Sequence, residues 1–559
     1  MTSRFLIFLA CWTLPALAGD SPKTIVELQE FRSTDSIPIR SKDGKQGRAT
    51  LINLNPAINA WYLLEVAWTG ASEVAYHLEN PKPGAQRLLL DETYPAGLVI
   101  LNGKNRYPCD LVEGDTLVQA RGSRLIFQPL CEGRIYLRNP ATGHRTTLEA
   151  AVELLREHVW GGEKIISLGH ILLGDLYRES ATIQQQSMAG AVAKDGNGPA
   201  PALIDPEYCN RLLMSNNLGI DLGGAEKTGL IPGAWYPVSA TSGVYASIIQ
   251  PNLIDPSVLQ GHKKLVNNLD TSEASALAYL VAFDLDRFDL GYALGTEHPK
   301  VGWSDHMLPS MRDPALLGPD GIANIAPLVS TGLISPEAAP KTIASFTAGF
   351  KREHGAFKYG ELALKNYGSH YGFLEQGVVF SRLQPGLSTI SVLDDGSVVM
   401  KTWTEEDNKS LKRIKYARQN GVPLIEAGIP GDLVTRWGPG NWSGSEDMKL
   451  RTMRSGFALQ KINSKRFLIY AVFSTATPSA MARVFEAYRC DYAMLLDMNA
   501  LEHTYMALYR RAGSRVFVDH LVKGMSELDK SASGEVLPRF LGYADNRDFF
   551  YVMRKEATR

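Results

Sequence analysis

Short apolar runs separated by Gly, Pro and Asn dominate the chain from about residue 20 to 140: ATLINL, WYLLEVAW, QRLLL, GLVIL, RLIFQPL and RIYLRN. Runs of four to eight residues at that repeat, with no helical period between them, predict a β-sandwich-like module. Trp61 and Trp68 fall within it and are expected in its core, because large aromatics are mostly buried. The rhythm changes at Thr146 to Trp160, where Leu148, Val152, Leu155 and Val159 recur at spacings of four and three. A capping box at Thr146 and Glu149 starts this predicted helix, and Gly161 with Gly162 ends it. The segment Ala189 to Ala202, rich in Ala, Gly and Pro, reads as a linker.

From about Pro232 strand-like and helix-like patterns mix, and they are clearest between Phe467 and Arg510. Phe467 to Phe473 has strand length, Thr477 and Pro478 supply an N-cap and first helical residue, and Met481, Val484, Phe485 and Tyr488 form an apolar helix face. Ala493 to Leu496 is a second buried strand that delivers Asp497, Asn499, Glu502 and His503 at its end. Polar residues beyond the carboxyl end of a strand are where open α/β sheets place ligands. The chain is therefore expected to be multidomain: a β-rich module over 20–140, a helical connector and irregular linker over 141–230, and a mixed α/β (α+β) domain over 231–559. Its 559 residues correspond to roughly three or four folding units.

Residues 1–18 carry Arg4, the apolar FLIFLACWTL, Pro15 and Ala16-Leu17-Ala18, the plan of a cleaved secretory signal peptide too short to span a bilayer. No later run of eighteen apolar residues occurs, so the mature form is expected to have no membrane span and to be periplasmic or secreted. A formal net charge of -1 gives no electrostatic reason to expect nucleic acid as a partner. Of five cysteines Cys11 lies in the leader; Cys109 and Cys131 are expected to form a disulfide, while Cys209 and Cys490 either pair or stay free. No Cys/His cluster has zinc spacing, and GGAEKTG lacks phosphate-loop order.

Candidate chemistry is spread over several stretches. Asp284 and Asp286 stand two apart in an extended segment and suit a cation or a hydroxyl; His298, Asp305 and His306 add further polar groups. Arg352, Glu353 and His354 sit among glycines and aromatics, and an Arg there suits a phosphate or carboxylate. Trp437 and Trp442 bracket a Gly/Pro loop suited to stacking on a sugar ring. Asn408 and Asn441 begin glycosylation sequons.

The order of an Asp-bearing strand, Gly349-Phe350 with a following His354-Gly355, Arg454-Ser455-Gly456-Phe457-Ala458 and Leu496-Asp497 resembles the phosphodiester glycosidase family over roughly residues 275–515. That family usually has Asn-Gly-Gly-Phe where Thr347-Ala348-Gly349-Phe350 stands, and Leu-Asp-Gly-Gly-Gly-Ser where Leu496 to Leu501 stands. The Asp, the second Gly and the Phe are kept; Met498, Asn499 and Ala500 replace a glycine run that would admit a ligand to the backbone. The resemblance implies an exported hydrolase, a glycosidase of a glycosyl phosphodiester or related saccharide. Asp497 would be its carboxylate, His354 or His503 its acid/base with Glu353 beside them, and Arg352 or Arg454 its phosphate clamp. Asn499, Asp284, Trp437 and Trp442 would help hold substrate. No cofactor is required by the sequence, and a divalent cation is compatible with it. The competing expectation is a non-catalytic exported polysaccharide-binding or envelope-assembly protein, from which convergence of these groups in one cleft would distinguish the enzyme.

Overall fold

The computed structural model describes residues 23–41, 43–112, 114–147, 150, 182–185, 198–223, 225, 229–239, 241–298, 300–303, 309–351, 371–436 and 451–556. The leader, most of the predicted helix from Thr146, Asp305, His306, Arg352, Glu353, His354, Trp437, Asn441 and Trp442 lie outside them. Among the described residues the protein is mostly β, with several antiparallel sheets and few helices. No described helix is long and apolar enough to cross a membrane.

The N-terminal region forms a six-stranded sheet in the order Ser33–Arg40, Gln46–Asn53, Trp61–Trp68, Val74–Glu79, Ile135–Arg138, Phe127–Leu130. A three-stranded sheet, Gln86–Leu89, Gly97–Asn102 and Asn105–Asp110, contributes Leu88, Leu98 and Ile100 to the same core as Leu51, Tyr62 and Leu64. Trp61 and Leu63 point from the opposite face into the main core of the molecule. Successive residues of a strand alternate faces, so WYLLEVAW is nearly continuous in apolar residues because it serves two cores. Cys109 and Cys131 are disulfide-bonded across a separation of 22 residues, a link that contributes about 3 kcal/mol. Cys490 is buried and Cys209 exposed, each a free thiol.

The main core lies between two larger sheets. The first has eight strands in the order Tyr236–Pro237, Val244–Ile249, Ala278–Asp284, Lys465–Ala476, Thr452–Ile462, Tyr492–Met498, Pro423–Glu426, Ile429–Pro430, every neighbouring pair antiparallel. The second has five strands in the order Phe288–Ala293, Phe549–Arg554, Thr342–Thr347, Met506–Ala512, Arg515–His520. Their facing aromatics interlock: the Phe346 ring lies 4.6 Å from Tyr470 and 5.1 Å from Phe457, and Phe550 lies 5.4 Å from Phe457. A third sheet includes Phe373–Glu375 and Ile414–Gln419.

The strand, helix and strand expected between Phe467 and Met498 are present. Thr477 Oγ1 accepts from the Ala480 amide at 3.2 Å, Pro478 opens the helix, and it runs to Ala487. The helix crosses over the Thr452–Ile462 strand, which pairs antiparallel with both Lys465–Ala476 and Tyr492–Met498, so those two run parallel without touching. Gly456 makes this crossing fit, because a Cβ there would lie 2.9 Å from Met481 Cε and 3.0 Å from the Phe485 ring. The sheet itself is antiparallel, so the open α/β rule that led to Asp497 does not apply here. Asp497 sits at a strand end, but the groups around it come from the second and third sheets.

Candidate active site

Asp497 is the penultimate residue of the strand Tyr492–Met498 and is 5% exposed. Its backbone amide donates to Ala348 O at 3.1 Å, and the Ala348 amide donates to Asp548 O at 3.0 Å. Two carboxylate-bearing strand ends are thus held on either side of the segment Thr347-Ala348-Gly349-Phe350. Phe350 is clamped at both backbone groups: its N–H donates to Asn420 Oδ1 at 3.0 Å, and Arg418 Nη2 donates to its carbonyl at 2.6 Å. Gly349 is required by this close approach, since a Cβ would lie 2.7 Å from Asn420 Oδ1 and 2.9 Å from Arg418 Cζ. Gly349→Ala is therefore expected to cost about 1–3 kcal/mol, read as a lower urea midpoint with an unchanged slope.

Around Asp497 the polar atoms form a chain. Arg547 Nη1 donates to Asp497 Oδ2 at 2.5 Å, Arg547 Nη2 to His503 Nε2 at 2.7 Å, and His503 Nδ1 to Met498 O at 2.7 Å. The acceptor role of Nε2 toward a guanidinium assigns His503 the neutral form protonated on Nδ1. The Met498 amide donates to Asp497 Oδ1 at 2.9 Å. Burial pushes the Asp497 carboxyl above its ordinary value, and Arg547, this amide and His298 offset that only in part.

A second chain stands on Asp548. Arg418 Nε donates to its Oδ2 at 2.9 Å, the Tyr292 hydroxyl to the same oxygen at 2.7 Å, and His298 Nδ1 pairs with its Oδ1 at 3.1 Å. Burial favours the neutral acid, but Arg418 and His298 together outweigh it and hold Asp548 well below the usual carboxylate range. Asp548 is thus held ionised near neutral pH, while Asp497 is biased toward taking a proton; environments that drive two carboxyls apart are those that divide acid and base roles. His298 Nε2 has no hydrogen-bond partner among the described residues. His298 also forms part of the wall of a cavity of about 520 Å³, with Lys300, Lys351, Arg145 and Glu297 around it. An imidazole with one nitrogen fixed by a carboxylate and the other uncommitted can accept or deliver a proton.

The sequence-predicted residues are distributed as follows. Asp497 and His503 share the Arg547 guanidinium. Asn499 adopts φ +84 immediately beyond, a left-handed conformation that Asn tolerates better than most side chains and that a glycine run would take freely. Arg454 is fully buried beside them: Nε donates to Ala476 O at 2.9 Å, Nη1 to Met498 Sδ at 3.1 Å, and burial lowers its pKa against the pull of Glu273. Asp284 does not join the group. It pairs in register with Phe467, whereas the Asp497 end of the sheet is at Phe473 and Arg454, six residues or about 20 Å along the strand. There it meets Lys465 at 3.5 Å and Arg287 at 3.8 Å. Arg352, Glu353, His354, Trp437 and Trp442 lie outside the described residues. Among the described residues no three His, Cys, Asp or Glu side chains converge as metal ligands.

Arg547, Asp548, Arg418 and Asn420 were not singled out from the sequence. The available signal was the run Asp545-Asn546-Arg547-Asp548 directly before the aromatic strand Phe549–Arg554, four polar residues that are all buried. Arg539 ties this run down through Asp545 at 2.6 and 3.1 Å. Gly295 and Gly332 let neighbouring backbone pass against it, where a Cβ would clash with Arg547 and Asp545 main-chain atoms.

His298 itself is anchored from further back. The Leu294 amide donates to Glu375 Oε2 at 3.0 Å, and Glu375 Oε1 lies 3.8 Å from Arg138 of the N-terminal sheet, which pairs with Glu79 at 2.5 Å. One guanidinium thus serves two buried carboxyls, and burial pushes Glu375 up to about 7 against Arg138 and the Leu294 amide. A folded-state value raised in this way makes the contribution of Glu375 fully present below its ordinary 4.5 and lost as pH rises through about 7. Glu375→Gln is expected to become more stable relative to the parent as pH rises from 5 to 8, by on the order of 1–2 kcal/mol in urea midpoints. An unchanged difference across that range would place the titration elsewhere.

No family model matches the chain, and no curated protein matches its sequence. Among solved structures, the chain is similar to the zebrafish N-acetylglucosamine-1-phosphodiester alpha-N-acetylglucosaminidase catalytic domain, auto-inhibited by its pro-peptide. The match covers 57% of this chain and 85% of that one at 10% identity, with a TM-score of 0.30. So loose a superposition carries no argument about chemistry, and the function of the chain is argued from the Asp497, His298 and Asp548 cluster.

Proposed function

We propose that the chain is an exported hydrolase that cleaves the bond between a sugar carbon and a phosphodiester or related anionic leaving group. The observation that carries the reading is His298, whose Nδ1 faces the ionised Asp548 at 3.1 Å, whose Nε2 is uncommitted among the described residues, and which lines the 520 Å³ cavity. In this reading His298 accepts a proton from water through Nε2, and Asp548 stabilises the imidazolium that results. Asp497, positioned by Arg547, supplies the second carboxylate and faces the carbon that becomes electron-deficient as the leaving group departs. When water replaces it at the sugar carbon, the departing phosphate monoester leaves as an anion and needs little protonation. Among the described residues of the cavity wall, Lys300 and Lys351 accompany the Arg145–Glu297 ion pair, a charge pattern that suits it.

The test is release of reducing sugar from a panel of glycosyl-1-phosphodiesters, with and without chelator. The parent is expected to turn over at least one member, and His298→Gln to lose about 10²–10⁴-fold while remaining folded. If the parent turns over none, and yet binds polysaccharide, the chain is a binding protein and the hydrolase reading is wrong. Loss of turnover on chelation would add a metal requirement to the scheme.

A further inference from the structure

A cavity of about 700 Å³ lies apart from the one that His298 lines, with no lining residue in common. Its walls come from five separate parts of the chain: residues 28–31, residue 54, residue 303 with 312–319, residues 377–385, and residues 405–411. These walls are fixed by buried polar contacts. Gln29, 2% exposed, gives Nε2 to Ile25 O and Val379 O at 2.8 Å each and accepts the Val379 amide at 2.8 Å, so a side-chain amide pairs like a strand with the edge of the third sheet. On the far side Asp320, 3% exposed, accepts from Ser381 Oγ and from the Arg382 amide, both at 3.2 Å.

The lining mixes two chemistries. Leu28, Leu54, Val379 and Leu411 are apolar, while Arg382, Gln384, Asp313 and Asn408 are polar, with Asn408 committed to Trp403 Nε1 through Oδ1 and to Glu405 Oε2 through Nδ2. Trp303 is half-buried in the wall, and its indole N–H is spent on Leu316 O at 3.0 Å, so what it offers a ligand is the apolar ring. Charge does not favour an anion: Glu30, Asp313 and Glu405 stand against Arg312 and Arg382. Arg382 and Asp313 are exposed and Gln384 and Asn408 half-buried, so a ligand that covers them must replace their water with hydrogen bonds of its own or leave them unsatisfied, at a cost of about 1–3 kcal/mol for each group. Sugar rings carry an apolar C–H face that packs on an aromatic ring and vicinal hydroxyls that pair with planar amides, guanidiniums and carboxylates. The volume falls within the ordinary range for a small-ligand site.

We propose that this cavity is a binding site for a neutral saccharide, separate from the Asp497 and His298 cluster and independent of whether that cluster is catalytic. Trp303 supplies the stacking surface, and the exposed Arg382 the hydroxyl-binding group.

The test is isothermal titration of the full chain with maltohexaose, cellohexaose and chitohexaose, and with an anionic hexagalacturonate. At least one neutral hexasaccharide is expected to bind saturably. Trp303→Ala and Arg382→Ala, each confirmed as folded by near-UV circular dichroism, should weaken it tenfold or more, while Asp497→Asn should bind as the parent does. The proposal is overturned if none of the neutral sugars binds at millimolar concentration, or if the anionic sugar binds in preference. It is equally overturned if both cavity variants bind like the parent, or if Asp497→Asn abolishes the binding. None of these results bears on reducing-sugar release, so the hydrolase reading stands or falls by its own assay.

Discussion

Asp497→Asn is expected to lower turnover by about 10³-fold or more. The substitution keeps length and shape, so the Met498 amide still finds an oxygen at the Oδ1 position. It removes the negative charge that Arg547 holds at 2.5 Å, and with it, in the proposed scheme, the field at the reacting carbon. The pH profile gives a second readout. Because burial raises Asp497, the acid limb of kcat/KM in the parent should lie above pH 3.8, the ordinary value for an aspartate, and that limb should vanish in the variant's residual activity. Turnover within tenfold of the parent would mean that Asp497 only positions Arg547 and His503.

The largest stability effect is expected at Asp548. Its side chain is fully buried and carries Arg418, His298 and Tyr292 together, and Arg418 is itself fully buried. Asp548→Asn leaves the guanidinium without its counter-charge, which costs about 3–5 kcal/mol for a buried pair broken on one side. The sign of the pH dependence follows from Asp548 being held below its ordinary value. Its contribution is fully present above the unfolded-state pKa and is lost as pH falls through the folded one. The gap between parent and variant should therefore be widest near neutral pH and narrow as pH falls below the ordinary 3.8, as urea denaturation at pH 7 and pH 3 would measure. A gap under 1 kcal/mol at pH 7 would show that Arg418 finds another acceptor, Phe350 O and Gln419 O being already in contact.

Local order was legible where one segment carried its own instructions. The N-cap Thr477, the helix-opening Pro478 and the apolar face through Met481, Val484 and Phe485 specify the crossover without reference to the rest of the chain. Asp497 and His503 could be paired for the same reason, being six residues apart on one strand end. Asp284 could not be placed, because nothing in a strand's sequence says which of its ends will lie beside the chemistry; that is decided by the register with Lys465–Ala476. The partners of Asp497 were out of reach of local reading for a similar reason. Arg418 lies 130 residues from Asp548, and His298 lies 250 from it. Arg547 reads as an ordinary charged residue until the antiparallel neighbours of Phe549–Arg554 bury it. The antiparallel character of the central sheet was hidden too, since a helix between two strands has the same pattern whether or not another strand slips between them.

The Gln29 clasp also bears on the order in which the protein can mature. Gln29 and Val379 are separated by 350 residues, and Ile25 and Leu28 complete a core otherwise built mainly from the distant C-terminal half. At about 5–20 residues per second of synthesis, the partner strand follows the clasp by roughly 20–70 seconds. For the first part of that interval the N-terminal segment has only the few core residues between Ile52 and Leu63 to pack on. Folding from the N-terminus onward cannot complete this clasp: its first described residues wait for a strand made 350 residues later, and until then they are open to chaperones and proteases.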